Sequence, residues 1–297
     1  MDLDALRVFL KVAELSSFTA AGDQLKMPKS RVSTRVAELE AHLGSRLFQR
    51  STRVVRLTAD GEQLLPRARR LVADAEDLEA MFQAPSTLRG VVRVDLPINI
   101  ARDMVIPKLP ELLALHPQLE IVLSTTDRRV DVVREGFDCV LSVGSLSDSG
   151  LVTRRLGFLT LANCVSAAYA AQHGTPKSID DLDRHLVVHY SMRLGNDAPS
   201  FEWAVGETVR ERPMKSVVTV NNADAYRAAC VAGLGIIQAP RIGLDASIAS
   251  GVLLEVLPQH TAAPMPVSMV HPHGRSVPRR VRAVMAWIAQ QVTPRLA

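Results

Sequence analysis

Residues 17–61, SFTAAGDQLKMPKSRVSTRVAELEAHLGSRLFQRSTRVVRLTADG, decide how the rest of the chain is read. Thr19 to Leu25 places Ala20, Ala21 and Leu25 on an apolar face, with small residues where another helix must come close. A turn at Lys26–Pro28 follows. Val32, Val36, Leu39 and Leu43, spaced four, three and four apart, then bury one face of a second helix. Pro28 suits a helix's first turn, where its missing N–H has no intrahelical partner to lose. The opposite face holds Lys29, Arg31 and Arg35 among Ser30, Ser33 and Thr34. Gly44 stands where a C′ residue ends a helix. After it, LFQRST–RVVRLT reads as a hairpin carrying Arg46, Arg50, Arg53 and Arg56.

Helix, turn, helix and basic wing form a reading head whose second helix fits a DNA major groove. Between positions 26 and 56 there are eight Lys/Arg and two acids, a local charge of +6 in a chain of net +4. The basic charge is therefore concentrated where a phosphate backbone would lie. An ordinary amphipathic helix with a solvated face accounts for the charge, but not for four elements in this order. Candidate DNA contacts are Thr19, Lys29, Ser30, Arg31, Ser33, Thr34, Arg35, Arg50 and Arg53. Base readout is expected from the N-terminal end of the second helix, and a phosphate or minor-groove contact from Arg53.

This stretch closely resembles the DNA-binding domain of LysR-type transcriptional regulators. F–T–A–A–x–x–L, V–S–x–x–V–x–x–L–E–x–x–L–G–x–x–L–F–x–R and L–T–x–x–G all occur in register. Two departures stand out. Gly22 replaces the alanine or larger residue usual there, and Lys29-Ser30-Arg31 replaces a common Gln-Pro-Ala. The second falls on the groove-facing start of the recognition helix and bears on the operator sequence, not on the docking mode.

Upstream, residues 4–15 predict a helix with Leu6, Phe9, Leu10 and Ala13 buried and Asp4 as N-cap. Downstream, Thr58 can cap a further helix. There Leu64, Leu71 and Leu78 recur every seven residues, and Gly61, Ala68, Ala75 and Phe82 do so four after each leucine position. That is an a/d seam, with Pro66 on its outer side. The resemblance implies a dimerising linker helix, so the organisation expected is a winged helix-turn-helix at 1–58 and a linker at 59–88.

Past the polar hinge QAPSTLR (83–89) the texture changes. Strands at Val91–Leu96, Leu119–Ser124 and Cys139–Val143 alternate with helices at Ala101–His116 and Asp127–Gly136, which argues for parallel βαβ units and an α/β fold. Further strands are predicted at Val187–Tyr190, Ser216–Val220, Gly235–Gln238, Leu253–Val256 and Val267–Val270, and helices at Ala223–Ala232 and Val277–Val292. Residues 89–297 also resemble the same family's effector-binding domain, which is similar to periplasmic solute-binding proteins; 127–157 and GLGIIQAP (233–240) carry the likeness. It implies two α/β lobes joined by crossover strands near Leu161–Val165 and Met265–Val270, with lobe I at 89–162 and 267–297 and lobe II at 163–266.

In an open α/β sheet ligands sit beyond the carboxyl ends of the strands. Here those ends offer Pro97, Asn99 and Ile100, Thr125 and Thr126, and Val143 and Gly144 in one lobe, with His189, Tyr190, Asn221 and Asn222 in the other. Hydroxyls, amides and N–H groups at helix starts suit a small polar or anionic ligand, and the family resemblance implies an organic acid; a neutral or hydrophobic ligand stays open, since Arg102 and Arg193 are only near candidates for a cation there. Helix capping explains Asn99, Thr125 or Asn222 equally well.

Enzyme patterns are absent: no G-x-S-x-G, Walker A or H-E-x-x-H occurs, and Gly233-Leu234-Gly235 lacks a third glycine. His271-Pro272-His273 is the one close histidine pair and has no evident third ligand. Cys139, Cys164 and Cys230 are odd in number and make no zinc or disulfide pattern, and no apolar run approaches ~20 residues. The acidic start MDLDAL lacks a signal pattern, so the expected location is the cytoplasm. The expectation is a regulator of promoter DNA with no cofactor or metal, responding to a small-molecule effector. It would act as a homodimer or homotetramer, with RNA polymerase a further partner. The rival is an enzyme or solute-binding protein carrying a nucleic-acid anchor.

Overall fold

The computed structural model describes residues 2–50, 55–80, 88–146, 150–192, 194–195, 197–274 and 277–297; at 50, 77, 79 and 80 only the backbone is described. The chain opens with α1 (Leu3–Leu15), α2 (Phe18–Leu25) and α3 (Lys29–Leu43). The cap of α1 is Asp2, whose carboxylate accepts the Asp4 N–H, and not Asp4, which pairs with Arg7 instead. Ser17 caps α2, and Gly44 ends α3 at φ 67°. Strands β1 (Phe48–Arg50) and β2 (Val55–Leu57) pair antiparallel, with Phe48 opposite Leu57.

One apolar core holds this unit together. Leu6, Phe9, Val12, Ala21, Val32, Val36, Leu47 and Phe48 are all buried in it. Phe48 packs on Phe9 and Phe18 at centroid distances of 5.4 and 5.6 Å. Glu40 accepts the N–H groups of Leu47 and Phe48, at 2.8 and 3.2 Å, and so ties the end of α3 to the wing. Thr58 donates to Arg46 O and accepts from the Gly61 N–H. A Cβ on Gly61 would lie 2.2 Å from Leu47 O, so only glycine lets the next helix start this close to the wing. Gly22 has the same role in the turn: a Cβ there would lie 2.6 Å from Met27 O.

Helix α4 (Ala59–Ala80) contains Pro66 and divides its faces. Leu64, Leu65, Ala68 and Val72 pack into the core just described. Ala68, fully buried there, is therefore a core residue of its own unit and not open to a partner helix. Leu71 and Leu78 are 43% and 61% exposed, and Ala75 is half-buried. Phe82, Arg53 and Arg193 lie outside the described residues.

Two mixed sheets make up the rest. The first begins with β3 (Arg89–Leu96), whose Val92, Val94 and Leu96 are buried. The single helix predicted at 101–116 is broken. It runs as α5 (Ile98–Ile100), a π turn at Ala101–Val105, a 3-10 turn at Ile106–Lys108 and α6 (Leu109–Leu115). Pro107 and Pro110, each lacking an N–H, account for the breaks. Next come β4 (Gln118–Thr125), β5 (Cys139–Val143) and β6 (Val152–Leu159). No helix forms at 127–136. The Asp131 carboxylate takes the Val133 and Arg134 N–H groups, and Arg128 pairs with Glu135 across the turn.

The second sheet is built from β7 (Leu161–Ser166), α7 (Ala167–His173) and β8 (His189–Tyr190), then the side hairpin β9 (Ser200–Val205) and β10 (Thr208–Pro213). There follow β11 (Thr219–Val220), α8 (Ala223–Val231), β12 (Ile237–Pro240), α9 (Asp245–Ala249) and β13 (Leu253–Glu255). Strand β14 (Met265–His271) returns to the first sheet, and α10 (Arg279–Val292) covers it with Val281, Val284 and Ile288.

The first sheet is ordered β4-β3-β5-β14-β6. The second is β11-β8-β12-β7-β13, its two pieces joined by the parallel bridge Val187–Ile236. In each sheet the first three strands are parallel and the last two antiparallel, so the sheets repeat one pattern. The chain crosses at Thr160, between β6 and β7, and returns between β13 and β14. Leu161 and Ala162 thus belong to the second sheet, and Met265 and Pro266 to the first, just inside the expected lobe boundaries.

Candidate functional site

The first site is the start of α3. Pro28 at its N-cap makes no side-chain hydrogen bond, and its carbonyl takes the Arg31 and Val32 N–H groups, so those of Lys29 and Ser30 are left to an outside acceptor. Lys29, Ser30 and Arg31 are exposed there, their side chains with no partner among the described residues. Thr19 and Thr34 are exposed too, although the Thr34 hydroxyl donates to Ser30 O. Ser33 is half-buried. Arg35 is committed inside the unit, 3.1 Å from Asp2 and 3.4 Å from Glu38. Arg50 lies at the end of β1, where the wing begins.

The second site is a cleft of about 640 Å³ between the two sheets. Of the residues singled out from sequence, Pro97, Asn99, Ile100, Thr126, Val143, His189 and Tyr190 line it. Thr125, Gly144, Asn221 and Asn222 do not. Thr125 and Asn221 point to solvent, and Asn222 caps α8 by accepting the Ala225 N–H at 2.9 Å. Thr125 ends an alternating strand, so its neighbour Thr126 turns inward in its place.

Polar groups dominate one end of the cleft. Asp95 is buried and accepts the Thr126 hydroxyl; burial holds its carboxyl above the usual range. Asp127 accepts the Ile98 N–H at 3.2 Å and the Ala223 N–H at 2.6 Å, and so joins the two halves. Burial, with Asp127 nearby, pushes the Tyr190 phenol up. The ring of Tyr190 meets that of Tyr226, whose OH accepts the Gln238 N–H. Arg102 is held by Asp103, Asn99 and Asp224, the last across the cleft, and the Asp103 bonds chiefly keep its pKa high. It is not free for a ligand.

Sequence reasoning missed Arg227. It lines the cleft from α8, and its Nε is buried with no hydrogen-bond partner. His189 Nε2 is in the same condition. The signal was available only in three dimensions, since position 227 faces inward one helical turn after Ala223.

Elsewhere the chemistry is quiet. Cys139, Cys164 and Cys230 are free and buried, and burial pushes Cys164 and Cys230 up to about 12, the range of unreactive thiols. His271 and His273 stack at 6.0 Å, with His273 3.6 Å from Asp138. Among the described residues no group of three or more His, Cys, Asp or Glu could hold a metal. Nor, among them, is any helix long and apolar enough to cross a membrane.

A winged helix-turn-helix joined by a long helix to a two-sheet cleft defines a ligand-responsive DNA-binding protein. Residues 3–62 match the family model of the bacterial regulatory helix-turn-helix protein, lysR family, and residues 85–293 match the LysR substrate binding domain. The chain belongs to the LysR family of transcriptional regulators. It is 41% identical over 288 residues to the HTH-type transcriptional regulator YhjC of Escherichia coli K12, covering 97% of this chain and 96% of that one. It is 32% identical over 286 residues to the HTH-type transcriptional activator AaeR of the same organism, covering 95% and 91%. The solved structure of CrgA, a LysR-type regulator from Neisseria meningitidis, aligns at TM-score 0.61 and 27% identity over 98% of both chains.

Proposed function

We propose that this regulator reads promoter DNA with Lys29, Ser30 and Arg31 and answers to a small organic acid bound between its sheets. The observation that carries the effector reading is Arg227, a guanidinium on the wall of a 640 Å³ cleft with no partner among the described residues, with His189 also on that wall. A half-buried charged group without an acceptor is costly, about 1–3 kcal/mol, and a ligand carboxylate gives the guanidinium its partner. Thr126, Asn99 and Tyr190 complete the polar end. Binding and not turnover is the role proposed for the cleft.

The organisation proposed is a DNA-binding unit to residue 58, a linker over 59–88 and an effector unit from 89 onward, acting in the cytoplasm. The exposed half of α4, Leu71 and Leu78, is the proposed dimer contact, with Leu64 and Ala75 at its margin and Ala68 excluded by its own burial. Dimers place two recognition helices on two half-sites, and pairing of dimers gives a tetramer. The wing arginines supply phosphate contacts, and RNA polymerase is the partner at an activated promoter.

A route from cleft to DNA is proposed through the base of α4. Arg280 on α10 donates to Val91 O and lies 3.9 Å from Glu76 of α4, so the first sheet and the linker meet at one guanidinium. Closure of the second sheet on a ligand would move the first as a rigid body against that contact. Footprinting on the DNA flanking the protein's own gene, with and without small organic acids, tests the proposal. A protected site that shifts or lengthens with an acid supports it; binding with no sequence preference points to the rival solute binder.

A further inference from the structure

The donors facing the cleft fall into two sets. One is already occupied from within the chain. The Asp127 carboxylate accepts the Ile98 N–H at Oδ1 and the Ala223 N–H at Oδ2, at 3.2 and 2.6 Å. Ile98 follows β3 of the first sheet, and Ala223 opens α8 on the second. Two N–H groups converging on one carboxylate from opposite sides is a geometry suited to a bound carboxylate, and here the chain supplies it.

The other set is open. Arg227 and His189 line the cleft, and no acceptor among the described residues engages the Arg227 guanidinium. The remaining arginines of the wall are engaged: Arg128 with Glu135, and Arg129 with Ser145 O at 2.9 Å. Among the described residues one cleft arginine, Arg227, is without a partner. Against it the wall carries Asp95, Asp127, Asp197 and Glu202. Arg227 follows Ala223 by four residues on α8, about one helical pitch, ~5–6 Å. A ligand seated on Arg227 therefore lies beside Asp127, and a second negative charge on it would meet that carboxylate. The rest of the wall, Val143, Leu146, Leu161 and Met265 among it, is apolar.

We infer that Asp127 stands in for a ligand carboxylate and so sets the charge the cleft accepts: a monocarboxylate with an apolar body, seated on Arg227 and His189, and not a dicarboxylate. This rests on the reading of the cleft as the effector site. The discrimination is repulsive as well as attractive, since the position a second carboxylate would take is already filled by one.

Calorimetry on the full chain with pentanoate and glutarate, equal in carbon number and differing by one carboxylate, tests it. The expected result is that the unsubstituted protein binds pentanoate at least about tenfold more tightly than glutarate. Asp127→Ala should shrink or invert that ratio, because the Ile98 and Ala223 N–H groups become free for a second carboxylate. Arg227→Met should remove binding of both acids. A preference for glutarate, or a ratio unchanged in Asp127→Ala, overturns the inference and leaves the effector cleft standing. Binding indifferent to Arg227→Met moves the ligand out of the cleft and overturns the effector-site reading itself.

Asp127 also joins the two sheets, so Asp127→Asn, similar in shape and uncharged, serves as the control for folding. Acetate alone supplies a test that needs no larger ligand. It should slow hydrogen exchange at the Ile98 and Ala223 amides in Asp127→Ala, and leave the unsubstituted protein unchanged. If neither five-carbon acid binds, this result decides: no protection by acetate overturns the proposal.

Discussion

The start of α3 and the wall of the cleft both collect cationic side chains and treat them in opposite ways. Lys29 and Arg31 stand exposed with no intrachain partner, on a helix whose first N–H groups are also uncapped. In the cleft, Arg128 and Arg129 are each tied to a chain acceptor, and Arg227 is left open. Free surface cations attract any phosphate strongly and sort sequences only through the few that reach base edges. A pocket whose other arginines are already bonded within the chain would offer a ligand few open cations and so would discriminate by charge count. The difference separates a site built for affinity from one built for selection.

The largest effect expected bears on whether the two regions are energetically separate. Phe48→Ala removes the ring that meets Phe9 and Phe18, and should destabilise the DNA-binding unit by about 3–5 kcal/mol. Scanning calorimetry should show an early transition for that unit and an unmoved one for the two sheets. A common shift of both transitions would show that the halves unfold as one.

Next in size is Leu71→Arg, which puts a charge on the exposed half of α4. It should split the dimer and lower operator affinity by about 10²-fold, the loss of linked half-site binding, while the cleft still takes its ligand. Sedimentation would detect the change of mass; an unaltered oligomer would place the contact elsewhere. Smaller again, Arg31→Ala should lose ~1–3 kcal/mol on the operator, with relaxed preference at one base pair. The same change measured on random DNA should be slight. Equal losses on both would make Arg31 a phosphate contact and not a reader of sequence.

The smallest effect lies in the cleft. Burial raises the Asp95 pKa above its unfolded value, so the protonated form is the one favoured by folding. That stability is fully present below the unfolded carboxylate range and is lost as pH rises through the folded pKa. Asp95→Asn should therefore melt a few degrees or less above the unsubstituted protein at neutral pH and with no advantage near pH ~4. An advantage that persisted at acid pH would give Asp95 a different role.

Much of the N-terminal unit is legible because its contacts are local and its special residues have one physical use each. Glu40, read from sequence as an acid and a motif position but given no contact, holds the wing by two backbone N–H groups, and Gly61 permits an approach no side chain would allow. The Gly22 departure is explained the same way. The linker was half legible: heptad spacing found the helix, but spacing alone does not show that Ala68 faces its own core while Leu71 faces out. The strand β6 went unread, because VTRRLGFL is largely exposed and lacks the apolar signature of a buried strand. In the cleft, residues at strand ends were found by a topological rule. Arg227 was not, since it sits within a helix, and Asp127 was read as the start of a helix that Asp131 and Glu135 turn into a loop.

The exchange of strands between the sheets also orders events during synthesis. The DNA-reading unit has all of its buried residues once Val72 has emerged. The first sheet needs β14 as the neighbour of both β5 and β6, and β14 begins at Met265. The second sheet cannot set its edge until β13, from Leu253, is made. A nascent chain would thus carry a finished DNA reader for most of its translation while both sheets remain open. Such a chain would be able to hold DNA before it can sense anything, and its unpaired strand edges would be exposed to chaperones throughout.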